Sequence, residues 1–257
     1  MSSEFKSTSK IFQGQLGAYE VIVTEDESLT LKSGFFDEAC HSLSGAKAET
    51  RHNYLKNGLF YSKSYKEKKP KLTVLEVGFG LGHGYLETSK ALGDAIELHF
   101  ISLELDPSLV SFAQELSSPV FHELKESAWG FDAQIGPHQL SLILGDARKT
   151  ITTLKGFFPG LMVDAIYLDA FSPRRNPALW TSEFLSELWT LGQKGSVLTT
   201  YSASQSVRKT LDHVGFAVES FPGFGRKKQC TRAWWEGESL TEIIKMRMNS
   251  NIPLLND

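Results

Sequence analysis

Residues Leu72-Thr73-Val74-Leu75-Glu76-Val77-Gly78-Phe79-Gly80-Leu81-Gly82 form a short apolar run that ends in an acid and alternating glycines. Few folds accommodate such a segment. The apolar run buries itself in a sheet, and the glycines let the backbone bend sharply and come close to a ligand. Glu76 offers carboxylate oxygens to a group that is cationic or rich in hydroxyls or amines. The glycine register narrows the choice. A dinucleotide turn needs G-x-G-x-x-G with the pyrophosphate on the following helix N-terminus. The sixth position is His83 counted from Gly78 and Tyr85 counted from Gly80, so neither register fits.

The pattern present is E-x-G-x-G-x-G, from Glu76 to Gly82, extended by Gly84. It resembles motif I of the class I S-adenosylmethionine-dependent methyltransferases. In that family the acid lies near the methionine end of the cofactor, and the glycine loop passes under its ribose and methionine. Any tight strand-to-helix turn of an α/β protein is the plainer alternative.

The rest of the chain repeats the strand–helix alternation. Strands are expected at 72–77, 96–103, 140–144, 165–168 and 196–200, with a last pair at 216–220 and 231–235. Helices are expected at 82–92, 107–116, 177–191 and 203–213, the last stopped by Gly215. This alternation argues for a mostly parallel sheet covered on both faces. The predicted fold is thus α/β and Rossmann-like, with seven strands and a small N-terminal α+β extension. The extension, residues 1–70, reads as a hairpin (19–24 and 28–32) followed by a helix at 44–56 with Ser44 at its cap. A lysine-rich stretch, 63–71, leads into a core domain at 71–240, and 241–257 form a tail.

Ligands of such sheets bind beyond the carboxyl ends of the strands. Glu104, at the end of the second core strand, can accept both ribose hydroxyls. Asp106, directly before Pro107, better suits a helix cap. Asp146, in Gly145-Asp146-Ala147, can accept from the exocyclic amine of adenine, although Asp after Gly is also turn chemistry. The fourth strand ends Tyr167-Leu168-Asp169-Ala170-Phe171-Ser172-Pro173-Arg174-Arg175-Asn176-Pro177-Ala178-Leu179-Trp180. Here the chemistry is expected. Methyl transfer needs nucleophile and methyl carbon held about 3 Å apart. An amine must also be neutral to attack, so an acceptor such as Asp169 helps. Phe171 and Trp180 suit stacking on a flat base. Asp169 as a turn cap and Trp180 as a core residue are the alternatives.

Residues 168–180 resemble the signature of the methyltransferase module of the bacterial tRNA 5-methylaminomethyl-2-thiouridine biosynthesis family. The segments 199–203, 207–211, 215–216 and Gly223-Phe224-Gly225-Arg226-Lys227-Lys228 follow the same family in order. Cys40-His41-Ser42, Gly45-Ala46 and Glu49 look like the version that occurs as a free-standing chain. The resemblance implies S-adenosylmethionine-dependent methylation of the exocyclic amine of 5-aminomethyluridine, 2-thiolated or not, at the tRNA wobble position. It implies Asp169 as the catalytic residue. Glu76, Gly78, Gly80, Gly82, Glu104, Asp146 and Ala147 would be cofactor positions. Phe171, Pro173, Arg174, Arg175, Asn176, Trp180, Gly223, Phe224, Gly225, Arg226 and Lys227 would face the substrate. There are departures. The usual Met of the K-R-x-M segment is Cys230 here, and Glu49 and its neighbours depart from the bifunctional pattern. The residues after the last expected strand are too few for the family's C-terminal flavin oxidase. No flavin is therefore expected, and the aminomethyl substrate would come by another route.

Net charge is −3 in 257 residues, so there is no global basic field. A tRNA anticodon stem-loop would be held by local patches at 174–175, 226–228 and 63–71, the last equally an ordinary solvated surface. Two distant cysteines and seven scattered histidines suggest no metal and free thiols. No signal peptide, membrane span or obligate protein partner is indicated, so a cytoplasmic enzyme is expected. Aminopropyl transfer of the spermidine synthase type uses a related fold, but its G-G-G-D-G loop is absent. Methylation of another amine is the remaining alternative.

Overall fold

A computed structural model describes residues 10–235 and Leu255. Two sheets divide the elements. The first is four-stranded: β1 (Ile11–Gly14), β2 (Gly17–Val23), β3 (Leu29–Ser33) and β4 (Glu38–Ala39), paired antiparallel in chain order. The expected hairpin is the β2–β3 pair. β1 and β4 add a strand to each side, short and half-buried, with no alternation strong enough to mark them in the sequence.

The second sheet has nine strands: β5 (Lys71–Val77), β6 (Glu97–Glu104), β7 (Lys125–Ser127), β8 (Gly130–Ile135), β9 (His138–Leu144), β10 (Val163–Leu168), β11 (Gly192–Thr200), β12 (Ala217–Pro222) and β13 (Gln229–Trp234). Their spatial order is β12-β13-β11-β10-β5-β6-β9-β8-β7. All seven expected core strands are present. The count of seven is corrected to nine by the β7–β8 hairpin, which pairs antiparallel on the edge of β9. Its strands bury little beyond Ala133, so no apolar run announced them. β9, β6, β5, β10 and β11 run parallel, and β13 alone reverses between β11 and β12.

The helices are α1 (Ala46–Thr50), α2 (Lys63–Lys66), α3 (His83–Leu92), α4 (Ser108–Leu116), α5 (Ala147–Phe157), α6 (Ser182–Trp189) and α7 (Gln205–Val214). β6 and β10 are buried along nearly their whole length because helices cover both faces. Alternation assigns the faces. Leu75, Val77, Ile166, Leu168 and Leu198 pack on α5, α6 and α7. Val74, Ala165, Tyr167 and Val197 meet Tyr85 of α3 and Tyr54 from the N-terminal segment.

The helix expected at 44–56 is split into α1 and a π-helical turn, Arg51–Lys56. Ser44 is not its cap. Gly45 takes that position, and distant side chains satisfy the first turn. Ser28 Oγ accepts from Ala46 N–H (3.0 Å), and Asp26 Oδ2 accepts from Ala48 N–H (3.0 Å). The expected helix at 177–191 is likewise a 3-10 turn, Pro177–Trp180, followed by α6 capped by Thr181. The lysine-rich lead-in folds as α2 and the start of β5. The expected tail, 241–257, lies outside the described residues except for Leu255. The Leu255 N–H donates to Thr210 Oγ1 (3.2 Å).

The first sheet sits on the core through Tyr19, Leu31, Leu81, Leu109 and Phe112. Each such buried side chain contributes roughly 1.5–3 kcal/mol. That exceeds the roughly 1 kcal/mol expected per hydrogen bond at the same junction. The hydrogen bonds set the register instead. Asp106 accepts from Leu16 N–H (3.0 Å), Tyr19 Oη–H (2.9 Å) and Ser108 N–H (2.9 Å). Burial works against its charge, but these donors outweigh burial and lower its pKa. Pro107 holds the N-cap position of α4, so Asp106 is not the cap expected there; it accepts from the first N–H of the helix and fastens the β1–β2 turn.

Candidate active site

A cavity of about 150 Å³, partly open to solvent, lies at the carboxyl ends of β5, β6, β9, β10 and β11. The core sheet supplies one wall. Gly78 and Gly80 follow β5, Glu104 ends β6, Asp146 follows β9, Asp169 follows β10 and Tyr201 follows β11. The first sheet supplies the opposite wall with Leu16, Tyr19, Phe36, Cys40 and His41.

On one side of the cavity the glycine loop is held by Glu104. Its Oε2 accepts from Phe79 N–H (3.1 Å) and Gly80 N–H (3.2 Å), and its Oε1 accepts from Asp106 N–H (2.9 Å). Burial raises its pKa against these bonds. Gly78 and Gly80 both have positive φ, 102° and 55°. A Cβ at Gly78 would stand 2.8 Å from the Asp169 carbonyl oxygen, whereas Gly80 has open space where a Cβ would point. The wall at Gly80 is therefore bare backbone. Asp146 lines the cavity and also caps α5, accepting from Arg148 N–H (3.0 Å) and from its guanidinium (2.7 Å). That ion pair lowers its pKa. Ala147 lines the cavity beside it.

On the other side, the Asp169 carboxyl is only 11% exposed. Tyr54 Oη–H donates to Oδ1 (2.6 Å). Burial pushes the Asp169 pKa up to about 7, Glu49 adds to the rise, and the Tyr54 bond and Lys227 oppose it. His41 Nε2 lies 3.7 Å from Oδ2. An ion pair would form there if His41 were charged, but burial lowers its pKa and keeps the ring neutral at neutral pH. Phe171 lines the cavity and stacks on Phe36 (4.4 Å between ring centres, 24°). Asn176 lines the same wall.

Several expected site residues lie elsewhere. Glu76 does not line the cavity. It is 2% exposed, accepts from Ser102 Oγ–H (2.7 Å), and sits under α3, where a Cβ at Gly84 would overlap its carboxylate. Burial raises its pKa well above the ordinary value. Gly82 is also off the wall; its positive φ starts α3, and a side chain there would run into Phe121. Trp180 is fully buried, and its Nε1–H donates to the Phe171 carbonyl (2.9 Å), so it is a core residue and not a stacking platform. Pro173, Arg174 and Arg175 are outside the cavity. Arg174 is exposed, and Arg175 pairs with Asp37 (2.8 Å).

Gly223, Phe224, Gly225, Arg226 and Lys227 form a turn beside the cavity and do not line it. The Gly223 N–H donates to the Lys228 carbonyl (3.1 Å), and Phe224 packs near His52 (5.9 Å between ring centres). Lys227 bonds the buried Glu49 (3.1 Å) and lies 3.9 Å from the Tyr201 ring centre. Tyr54, Glu49 and Tyr201 are the site residues that strand-end reading missed. Only the family-like segments at 40–49 and 199–203 touched two of them.

Among the described residues no group of three His, Cys, Asp or Glu side chains gathers to hold a metal ion. Cys40 and Cys230 are free thiols. Among the described residues no helix is long and apolar enough to cross a membrane.

A family profile described as S-adenosyl-L-methionine-dependent methyltransferase matches residues 108–236. In sequence the chain is 32% identical over 225 residues to the tRNA 5-methylaminomethyl-2-thiouridine biosynthesis bifunctional protein MnmC of Leptospira interrogans, covering 81% of this chain and 34% of that protein. It is 35% identical over 222 residues to the protein of the same name from Ralstonia nicotianae, covering 78% of this chain and 32% of that protein. The chain thus spans about a third of the length of these curated relatives. Its structure is similar to that of MNMC2 from Aquifex aeolicus, with a TM-score of 0.67 at 26% identity over 93% of this chain and 78% of that one. A profile match across half of the chain, including β9, β10 and β11 and the Asp146 and Asp169 that follow two of them, places it in the S-adenosyl-L-methionine-dependent methyltransferase family.

Proposed function

We propose that the cavity transfers a methyl group to the exocyclic amine of 5-aminomethyluridine, with or without the 2-thio group, at the wobble position of tRNA. The observation that carries this reading is Asp169, a shielded carboxyl with a pKa near 7 on the same cavity wall as Glu104 and the glycine loop. An amine acceptor needs a group that takes a proton near neutral pH, whereas an aliphatic hydroxyl acceptor would call for a stronger base.

The cofactor's nucleoside fits the residues present. Glu104 keeps one lone pair, on Oε1, for a ribose hydroxyl beyond its three backbone bonds. Asp146 keeps one for an adenine amine, and Gly80 leaves open space where the loop must be approached closely. Bound S-adenosylmethionine supplies a methyl group on a sulfonium sulfur. In the transfer the sulfur–carbon bond breaks as the nitrogen–carbon bond forms. Asp169 takes the proton that the amine must lose, and Phe171 and Asn176 hold the base beside it. Glu76 and Gly82 shape the loop from behind.

Residues 1–70 would serve as the substrate-side wall of a core domain that begins at 71, since Phe36 and His41 face the core across the cavity. Arg174, Arg226 and Lys228 are exposed around the mouth and suit phosphates of an anticodon stem-loop. The names of the MnmC relatives support the tRNA substrate. A cytoplasmic enzyme follows from that substrate.

The test is incubation with labelled S-adenosylmethionine and tRNA from cells lacking the modification, followed by nucleoside analysis. Label is expected on 5-methylaminomethyluridine, with or without the 2-thio group, alone. Label on another nucleoside, or none, would sink the proposal.

A further inference from the structure

We infer that Tyr54 is a positioning residue for this reaction: by binding Asp169 Oδ1 it orients the carboxyl and leaves Oδ2 as the oxygen that receives the proton. The inference rests on the reading of Asp169 as proton acceptor.

Tyr54 is 1% exposed and lies on the π-helical turn Arg51–Lys56, outside the core sheet. Such turns are rare and recur at functional sites. Its ring stacks on Tyr167 (5.1 Å, 29°), two residues before Asp169 on β10, which fixes the direction of the hydroxyl. Burial, reinforced by the charge of Asp169, keeps the phenol protonated, so it donates at every working pH. The 2.6 Å bond to Oδ1 is in the range of a charge-assisted O–H···O bond.

The other groups facing Asp169 do not duplicate this contact. His41 is neutral and stands 3.7 Å from Oδ2, beyond hydrogen-bonding distance, with Nδ1 against Thr30 Oγ1 (3.2 Å). Lys227 is held by Glu49 and acts on Asp169 through space only. Tyr201 donates to the Ala170 carbonyl (2.9 Å). Glu76 and Cys40 lie within electrostatic reach, and burial raises the pKa of both. One donor thus decides which oxygen is spoken for.

The test is Tyr54→Phe, which keeps the ring stack and removes the hydroxyl. Three quantities are read: S-adenosylmethionine affinity, the pH–rate profile, and the carboxyl titration of Asp169 without substrate, from infrared difference spectra against Asp169→Asn. A carboxylate that loses its donor becomes easier to protonate. The infrared titration and the acid limb of kcat should therefore both move to higher pH by about one unit, costing about fivefold at pH 7, about tenfold well below it, and recovering above pH 8. Cofactor affinity should be unchanged. A titration that does not move, or a rate lost equally at every pH, would overturn the inference. If the wild type transfers no methyl to the amine at any pH, the functional reading has failed instead, and the substrate-free titration still decides the role of Tyr54.

Discussion

The two sides of the cavity are built differently. The donor side is local: Gly78, Gly80, Glu104 and Asp146 each follow a parallel strand of one sheet, and each is reached by reading a strand to its end. The acceptor side is assembled from afar. Asp169 comes from the core, but Tyr54 is 115 residues away in sequence, and Lys227 bonds Glu49 from 178 residues away. On the proposed reading the cofactor would be met by the strand ends of one sheet, and the acceptor by contacts that tie distant segments together. Variants on the two sides should therefore fail in different ways.

The largest effect is expected from Asp169→Ala, which should lower turnover by about 10²- to 10⁴-fold in single-turnover assays. Next is Glu104→Ala, which removes the proposed ribose acceptor and the anchor of the Phe79 and Gly80 N–H groups. Cofactor affinity should fall on the order of a hundredfold by calorimetry. An unchanged affinity would take the ribose role away from Glu104.

A stability comparison sharpens the same contrast. Burial raises the Asp169 pKa from 3.8 in the open chain to about 7 in the fold, so the folded protein holds this proton more tightly. That stabilisation is complete below pH 3.8 and is lost as pH rises through 7. Asp169→Asn cannot ionise and should be the more stable protein at pH 8, on the order of a few kcal/mol, with the gap closing towards pH 4. Denaturation at the two pH values checks this. Gly84→Ala, on the donor side, should destabilise at both, by about 1–3 kcal/mol, because its Cβ collides with Glu76.

The smallest effect is expected from replacing Arg226 and Lys228 together by Ala. RNA affinity should fall modestly and the slope of log affinity against log salt should flatten by roughly two. Methyl transfer at saturating RNA should be unaffected.

The five parallel core strands were legible because buried parallel strands are nearly unbroken apolar runs, as in Val163–Leu168. α5 was not, since Ala147–Phe157 buries only Ala147, Ile151 and Leu154 on a largely polar helix. The acids at strand ends are legible, yet the sequence alone does not separate Glu76 from a ligand group, because the space Gly84 leaves for it is a tertiary fact. Trp180 drew attention as an aromatic near Asp169, but its indole N–H is used by the Phe171 carbonyl inside the core. Tyr54 gave no local sign: only the docking of the first seventy residues brings its hydroxyl to Asp169.

The most direct test titrates S-adenosylmethionine into Asp169→Ala and Glu104→Ala side by side by calorimetry. Asp169→Ala should bind like the wild type while losing transfer, and Glu104→Ala should lose binding. Loss of cofactor binding in Asp169→Ala would place Asp169 on the donor side and contradict the division of the cavity described above.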